Sequence, residues 1–130
     1  MSEDRTRERL SLSIEHLEVA IEYSRRGRAT FDDPENPDTR RLVEAEFRKV
    51  YESLNRLADA FYHSNPTFER ARIGEVRQRL THDFSDVDTD ELWRLVSDEA
   101  PRLLRRLTRV KVHSRDCSNR HTLDLAIVAT

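Results

Sequence analysis

The residues best suited to chemistry lie in one short stretch, RQRLTHDF, which runs from Arg77 to Phe84. A histidine such as His82 can take a proton from a ribose 2′-hydroxyl near neutral pH, or return one to a leaving oxygen. An arginine such as Arg77 can hold a phosphate through two parallel hydrogen bonds and stabilise the charge that the phosphate gains in the transition state. The two side chains therefore form a minimal set of groups for cleaving RNA without a metal ion.

The spacing of the two residues limits how they can act together. On an ideal helix, residues five apart differ by about 140° in direction and about 7.5 Å in rise, so Arg77 and His82 do not share a face. Gln78 and Arg79 lie nearer to the face of His82. Arg77 and His82 can reach one phosphate if the helix ends or bends at His82, or if a second subunit contributes. Spacing alone is weak evidence, because it arises by chance in a chain this rich in arginine.

Other kinds of site find little support in the sequence. Two glycines cannot make a glycine-rich phosphate loop, so no nucleotide cofactor is predicted. The five histidines do not make metal-ligand spacings with one another, and no metal site is predicted: His16, His63, His82, His113 and His121. A single cysteine, Cys117, cannot form an internal disulfide, which favours a reducing, cytoplasmic setting. No apolar run approaches the roughly 18 residues that a membrane span needs.

The elements that must position this stretch are predicted to be helices. Charged residues make up 37% of the chain and apolar residues 36%, which is typical of a helical bundle with charged outer faces. Apolar residues at helical spacing predict a first helix over about 4–26, a second from about Val43 to His63, and a third from about Thr67 to His82. Gly27 to Asp38 is rich in turn-forming residues and is predicted to be a loop.

A fourth helix is predicted after SDVDTDELWRLV, where Asp88 and Glu91 have the spacing of a capping box. Pro101 lies inside its apolar pattern and should kink the helix or divide it. The helical period stops near residue 108. The sequence therefore predicts an all-α, four- to five-helix up-down bundle over residues 1–109 and a non-helical C-terminal tail of unknown state over 110–130.

The near-neutral net charge of −2 conceals a strong segregation of charge. Residues 83–99 carry seven acidic residues and one basic residue, whereas residues 102–115 carry six basic residues and no acidic one. The second run is either a patch for phosphate backbones, centred on Arg102, Arg105 and Arg106, or a solvated helix end whose bases suit the helix dipole.

The order of these features resembles the HEPN superfamily, in particular the HepT-like toxins that are paired with minimal nucleotidyltransferase antitoxins. In that family an Arg-x4-6-His motif closes the third helix, and a short acidic loop, a Trp-bearing helix and a proline follow. The matching residues here are Arg77 and His82, then Val87 and Asp88, Trp93 and Pro101. The acidic positions Glu46 and Glu52 on the second helix also fit. The resemblance covers roughly residues 5–108.

The resemblance implies a metal-independent endoribonuclease that dimerises, so that two Arg/His motifs face one another across a cleft. His82 would be the general acid or base, Arg77 would hold the scissile phosphate, and Gln78, Arg79 and Asp83 would support RNA binding. Phe84 occupies the position at which HepT-like toxins carry a tyrosine that the antitoxin modifies with adenylyl groups. Phenylalanine has no hydroxyl, so silencing here would require another residue or occlusion by the partner.

Two alternatives stay open at this point. The chain could be a non-catalytic HEPN-type module that binds RNA, a nucleotide or a nucleotidyltransferase partner, in which His82 does no chemistry. It could also be a plain helical interaction protein without salt-dependent affinity for RNA. Among the remaining residues, Trp93 is predicted to be a core or interface anchor. The other four histidines are predicted to be ordinary surface residues.

Overall fold

The computed structural model describes residues 3–81 and 88–110, with the side chains of Glu3 and Thr81 left aside. Throughout these residues the secondary structure is helical and contains no strand, which confirms the predicted all-α class. The helices are α1 (Glu3–Ser24), α2 (Arg28–Asp32), α3 (Asp38–Asn55), α4 (Asp59–Ser64), α5 (Arg70–Thr81), α6 (Thr89–Arg94), a π-helical segment (Leu95–Glu99) and α7 (residues 100–110). Of the tail predicted over residues 110–130, Val110 still belongs to α7, and residues 111–130 lie outside the described residues.

The core forms where α3 packs against both α1 and α5. The apolar positions that recur along these three helices turn inward, and the largest of the fully buried side chains are Phe31, Phe47, Leu10, Leu17, Leu54, Leu57, Leu80, Leu92 and Leu107. Each such side chain contributes about 1.5–3 kcal/mol to folding through its removal from water. This core fixes α5, the helix that carries Arg77.

Polar contacts also join α1 to α3. His16 Nδ1 lies 2.6 Å from a carboxylate oxygen of Glu46, and both side chains are partly buried. The Ser53 hydroxyl donates to the carbonyl of Arg9 at 3.3 Å. The prediction that His16 is an ordinary surface histidine was therefore wrong, because its ring is partly buried and pairs with Glu46 on the neighbouring helix. His63 is exposed, as predicted.

The predicted loop from Gly27 to Asp38 contains a short helix, α2. Gly27 adopts φ 100°, a conformation that glycine tolerates and other residues rarely adopt, and this turns the chain out of α1 and into α2. Phe31 then buries its ring completely. The loop prediction was wrong at α2, because one buried aromatic side chain outweighed the surrounding turn-forming residues.

The predicted second helix is divided. Leu57 donates its amide N–H to the carbonyl of Leu54 at 3.1 Å, which tightens the last turn of α3, and Ala58 is extended. α4 then keeps Phe61 and Tyr62 buried. The Tyr62 hydroxyl donates to the Leu54 carbonyl at 2.5 Å, and burial raises its pKa to about 12. The apolar seam thus continues across a break in the helix.

Pro101 is accommodated inside a helical segment rather than at a loop. The amide N–H of Ala100 donates to the carbonyl of Leu95, five residues earlier, so the turn before the proline is wider than an α-helical turn. The wider turn suits a residue that has no N–H and whose ring would meet the carbonyl four residues back. In place of the predicted kink or division, a π-helical segment lies just before Pro101, and helical residues run without a gap from 89 to 110.

Candidate active site

Three of the predicted site residues lie in the last turns of α5. Arg77 is half-buried, while Gln78 and Arg79 are exposed. The Nε atom of Arg77 is shielded from solvent, so part of its side chain is enclosed before any ligand arrives. The predicted partners His82, Asp83 and Phe84 lie outside the described residues. The structure therefore shows what surrounds the motif on both sides.

Arg79 joins the end of α5 to the beginning of α6. It pairs with Glu75 at 3.2 Å within α5 and with Glu91 on α6. Asp88 caps α6 as predicted, since its carboxylate accepts the N–H of Asp90 at 2.9 Å. Glu91, which was predicted to complete the capping box, instead has its carboxylate directed to Arg79. We call this Glu75–Arg79–Glu91 arrangement the clasp.

The start of α6 is held by two further arginines. Arg40 on α3 donates to the Thr89 hydroxyl at 3.4 Å, and Arg28 on α2 pairs with Asp90. Together with the clasp, these contacts tie α6 to α2, α3 and α5. The chain therefore enters residues 82–87 from the packed helix α5, and it leaves them into a helix that three others hold in place.

Arg28 and Phe31 support this arrangement through Trp93. The Phe31 ring meets the Trp93 ring edge-on at a centroid distance of 5.1 Å, and the Arg28 guanidinium lies 5.6 Å from the centre of the Trp93 ring. A hydrogen bond to Asp32, with the charges of Asp32 and Asp90, raises the pKa of Arg28 above its usual value. Trp93 is partly buried against the core, which confirms its predicted role as an anchor.

Sequence reasoning missed Arg28 and Phe31 because they fall in the segment predicted to be a loop. A signal was nevertheless present in RATFD. Arg28 and Asp32 are four residues apart, the spacing of an ion pair on a helix, and the pair is present at 2.9 Å. The aromatic residue between them could have marked a buried turn.

The predicted phosphate patch lies at the other end of α5. Arg102, Arg105 and Arg106 line a groove of about 550 Å³ between α7 and the beginning of α5. Arg72 on α5 donates to Glu99 at 3.0 Å on one side of this groove. Burial lowers the pKa of Arg72, but the hydrogen bond and charge of Glu99 outweigh burial, so the pKa lies above its usual value. Burial raises the pKa of Tyr51, which also lines the groove.

No group of histidine, cysteine and carboxylate residues within 3–81 and 88–110 is arranged to hold a metal ion. None of the helices in these two ranges is both long enough and apolar enough to cross a membrane.

A family model described as ribonuclease HepT-like matches residues 13–110, about three quarters of the chain. The matched range begins within α1 and ends with α7, so it includes α5 and all the elements that hold α6. Comparisons with curated proteins and with solved structures gave no match.

Proposed function

Because the chain belongs to the HepT-like ribonuclease family, we propose that it is a metal-independent endoribonuclease that cuts RNA at the Arg77 and His82 motif. The observation that carries this proposal is the placement of Arg77. Its half-buried side chain projects from the last turns of α5, just before a segment whose two flanking helices are both anchored. Positioned groups of this kind lower a barrier because little reorganisation is left for the reacting complex.

The proposed reaction is an internal transfer at phosphorus. His82 takes the proton of the ribose 2′-hydroxyl, and the 2′-oxygen forms a bond to the adjacent phosphorus. The bond from phosphorus to the 5′-oxygen of the next nucleotide breaks, and that oxygen gains a proton. Arg77 donates hydrogen bonds to the phosphate oxygens and stabilises their added negative charge. The products are a 2′,3′-cyclic phosphate and a free 5′-hydroxyl.

A homodimer is part of the proposal. Residues five apart on one helix point about 140° from each other, which separates Arg77 from His82 on a single straight helix. Two motifs facing across a cleft would supply both groups to one phosphate. One His82 would then remove the 2′-proton, while the same residue of the partner protonates the leaving oxygen.

We further propose that the enzyme is a cytoplasmic toxin silenced by a cognate minimal nucleotidyltransferase. Phe84 stands where HepT-like toxins carry the tyrosine that is modified, so adenylylation cannot occur at this position. Control by this partner would then act through another hydroxyl or through occlusion of the cleft. A nucleotidyltransferase gene beside the gene for this chain would support the pairing.

The test compares His82→Ala with His63→Ala, a matched control at an exposed histidine on α4. Purified wild-type protein should cut single-stranded RNA in the presence of EDTA and leave 2′,3′-cyclic phosphate ends. His82→Ala should lose cleavage by at least about 100-fold and relieve growth arrest on expression, with an unchanged circular dichroism spectrum. His63→Ala should behave like the wild type.

Unchanged toxicity and cleavage in His82→Ala would refute the catalytic assignment. Wild-type protein that binds RNA but leaves it uncut at several pH values would instead support a non-catalytic binding module.

A further inference from the structure

The groove at the start of α5 carries a row of arginines along α7. Three arginines follow Arg102 at spacings of three, four and seven residues, namely Arg105, Arg106 and Arg109. These spacings place all four side chains on one side of the helix. Their Cα atoms span about 10 Å along the helix axis. We call these four residues the arginine row. Its linear form matches a chain of charges better than it matches one compact anion.

Much of this positive charge has no acidic partner. Within the described residues, no carboxylate lies within 4.0 Å of the guanidinium of Arg105 or Arg109, and both side chains are exposed. Arg106 lies 6.0 Å from the centre of the Phe68 ring, and Arg102 pairs with Asp98 at 3.3 Å. Surface arginines without carboxylate partners keep their full charge available for phosphates.

The groove has little exposed aromatic surface on which a nucleotide base could stack. Tyr51, Phe68 and Ile73 line it, but each is only 5% exposed. A ligand would therefore meet the guanidinium groups of the rim more than aromatic surface. This favours recognition of a sugar–phosphate backbone, which is independent of sequence, over recognition of individual bases.

The arginine row is also aligned with the helix that carries the motif. Arg79 on α5 pairs with Glu91 on α6, and Arg72 pairs with Glu99 at the end of the π-helical segment. α5 and the segment from Glu91 to Glu99 therefore run antiparallel. The arginine row, which follows this segment on α7, lies beside the beginning of α5. From Arg72 to Arg77 the helix rises about 7.5 Å and turns about 140°, so an RNA strand that contacts both ends has to pass partly around α5.

We propose that the arginine row binds backbone phosphates of single-stranded RNA flanking the bond that is cut at the motif. This inference rests on the proposed function for its choice of RNA, but it assigns binding to a region distinct from the catalytic groups. Arg105 and Arg109 are its main contacts. The row holds the strand while Arg77 and His82 act on the scissile phosphate.

The experiment measures binding of a fluorescein-labelled oligo(U) by fluorescence anisotropy at several salt concentrations. All proteins carry His82→Ala, so that the RNA stays intact during the measurement. The test variant is Arg105→Gln/Arg109→Gln. Its matched control is Lys49→Gln/Arg56→Gln, which removes the same charge from exposed positions about 140–160° around α3 from the groove residue Tyr51.

Loss of two phosphate contacts should weaken binding severalfold or more and make the salt dependence shallower by about 1.4 in log–log slope. The control should bind like its parent. Arg105→Lys/Arg109→Lys should retain most of the salt slope, because it keeps the positive charges. Circular dichroism should be the same for all variants.

Equal RNA affinities of the test variant and its parent would refute RNA binding by the arginine row, and they would not bear on the proposed ribonuclease activity. An equal loss in the test and control variants would also refute RNA binding by the row, because net charge alone would then explain the binding. If wild-type protein fails to cut RNA but the test variant alone loses affinity, the row stands and the proposed catalytic function fails.

Discussion

Arginines surround both ends of α5, but the arginines at the two ends differ in their contacts. At the motif end, Arg79 forms ion pairs with Glu75 and Glu91, and the pair with Glu91 joins α5 to α6. At the groove end, Arg105 and Arg109 of the neighbouring helix α7 are exposed, and within the described residues no carboxylate lies within 4.0 Å of their guanidinium groups. The difference teaches that an arginine close to a motif in sequence can be structural, whereas one far from it can be available to a ligand.

The largest effect should come from removing the aromatic support of the motif end. Phe31→Ala would empty a fully buried site against Trp93, and we expect it to lower the free energy of unfolding by about 3–4 kcal/mol. Phe31→Leu, which keeps most of the buried surface, should cost about 1 kcal/mol. Urea denaturation measures both. A cost below about 1 kcal/mol for Phe31→Ala would show that α2 does not support α6.

A smaller effect, on activity rather than stability, should follow from opening the clasp. Glu91→Gln removes the charged link from α6 to Arg79, and we expect turnover to fall about tenfold because the segment between the helices is held less firmly. Unfolding should change by less than about 1 kcal/mol, since the pair is exposed. Turnover is measured by single-turnover RNA cleavage.

Glu75→Gln is the matched control for the clasp. Glu75 also pairs with Arg79, but it belongs to the same helix and joins nothing across the junction. It should leave turnover close to that of the wild type. Equal losses in the two variants would mean that the charge on Arg79 matters, rather than the link between helices.

The smallest effect should come from the middle of α5, between its two ends. Gly74 is helical, and a methyl group there would make ordinary contact with Asn55 Oδ1 at 3.8 Å. Gly74→Ala should therefore raise the free energy of unfolding by about 0.5–1 kcal/mol, with turnover and RNA affinity unchanged. Urea denaturation would reveal a destabilised protein if α5 requires a flexible glycine.

Much of this fold was predictable because helical periodicity reports burial directly. The inward positions of α1, α3 and α5 and the Asp88 cap follow from local pattern and elementary sterics. The family is confirmed by the model that matches residues 13–110. Periodicity succeeded where each helix contributes several residues to the core.

Local pattern failed where one tertiary contact decides the structure. α2 exists because Phe31 finds Trp93, which lies more than sixty positions away in the sequence. His16 pairs with Glu46 on another helix. Glu91 pairs with Arg79 on α5 and does not complete the capping box of α6. Contacts between helices of this kind cannot be predicted from the spacing of residues along one helix. The arginines of the predicted phosphate patch line one groove, and phosphate binding there stays a prediction; the pairing of Arg102 and the place of Arg109 in the same groove required the packed structure.

The central claim is that catalysis takes place at the motif end of α5 and RNA binding at the groove end. Steady-state cleavage of a long single-stranded RNA tests it most directly. We predict that Arg77→Gln lowers kcat by at least about 100-fold with little change in KM, because it removes a group that acts on the transition state. Arg105→Gln/Arg109→Gln should raise KM severalfold and leave kcat unchanged. A wild-type kcat in Arg77→Gln would contradict catalysis at the motif end.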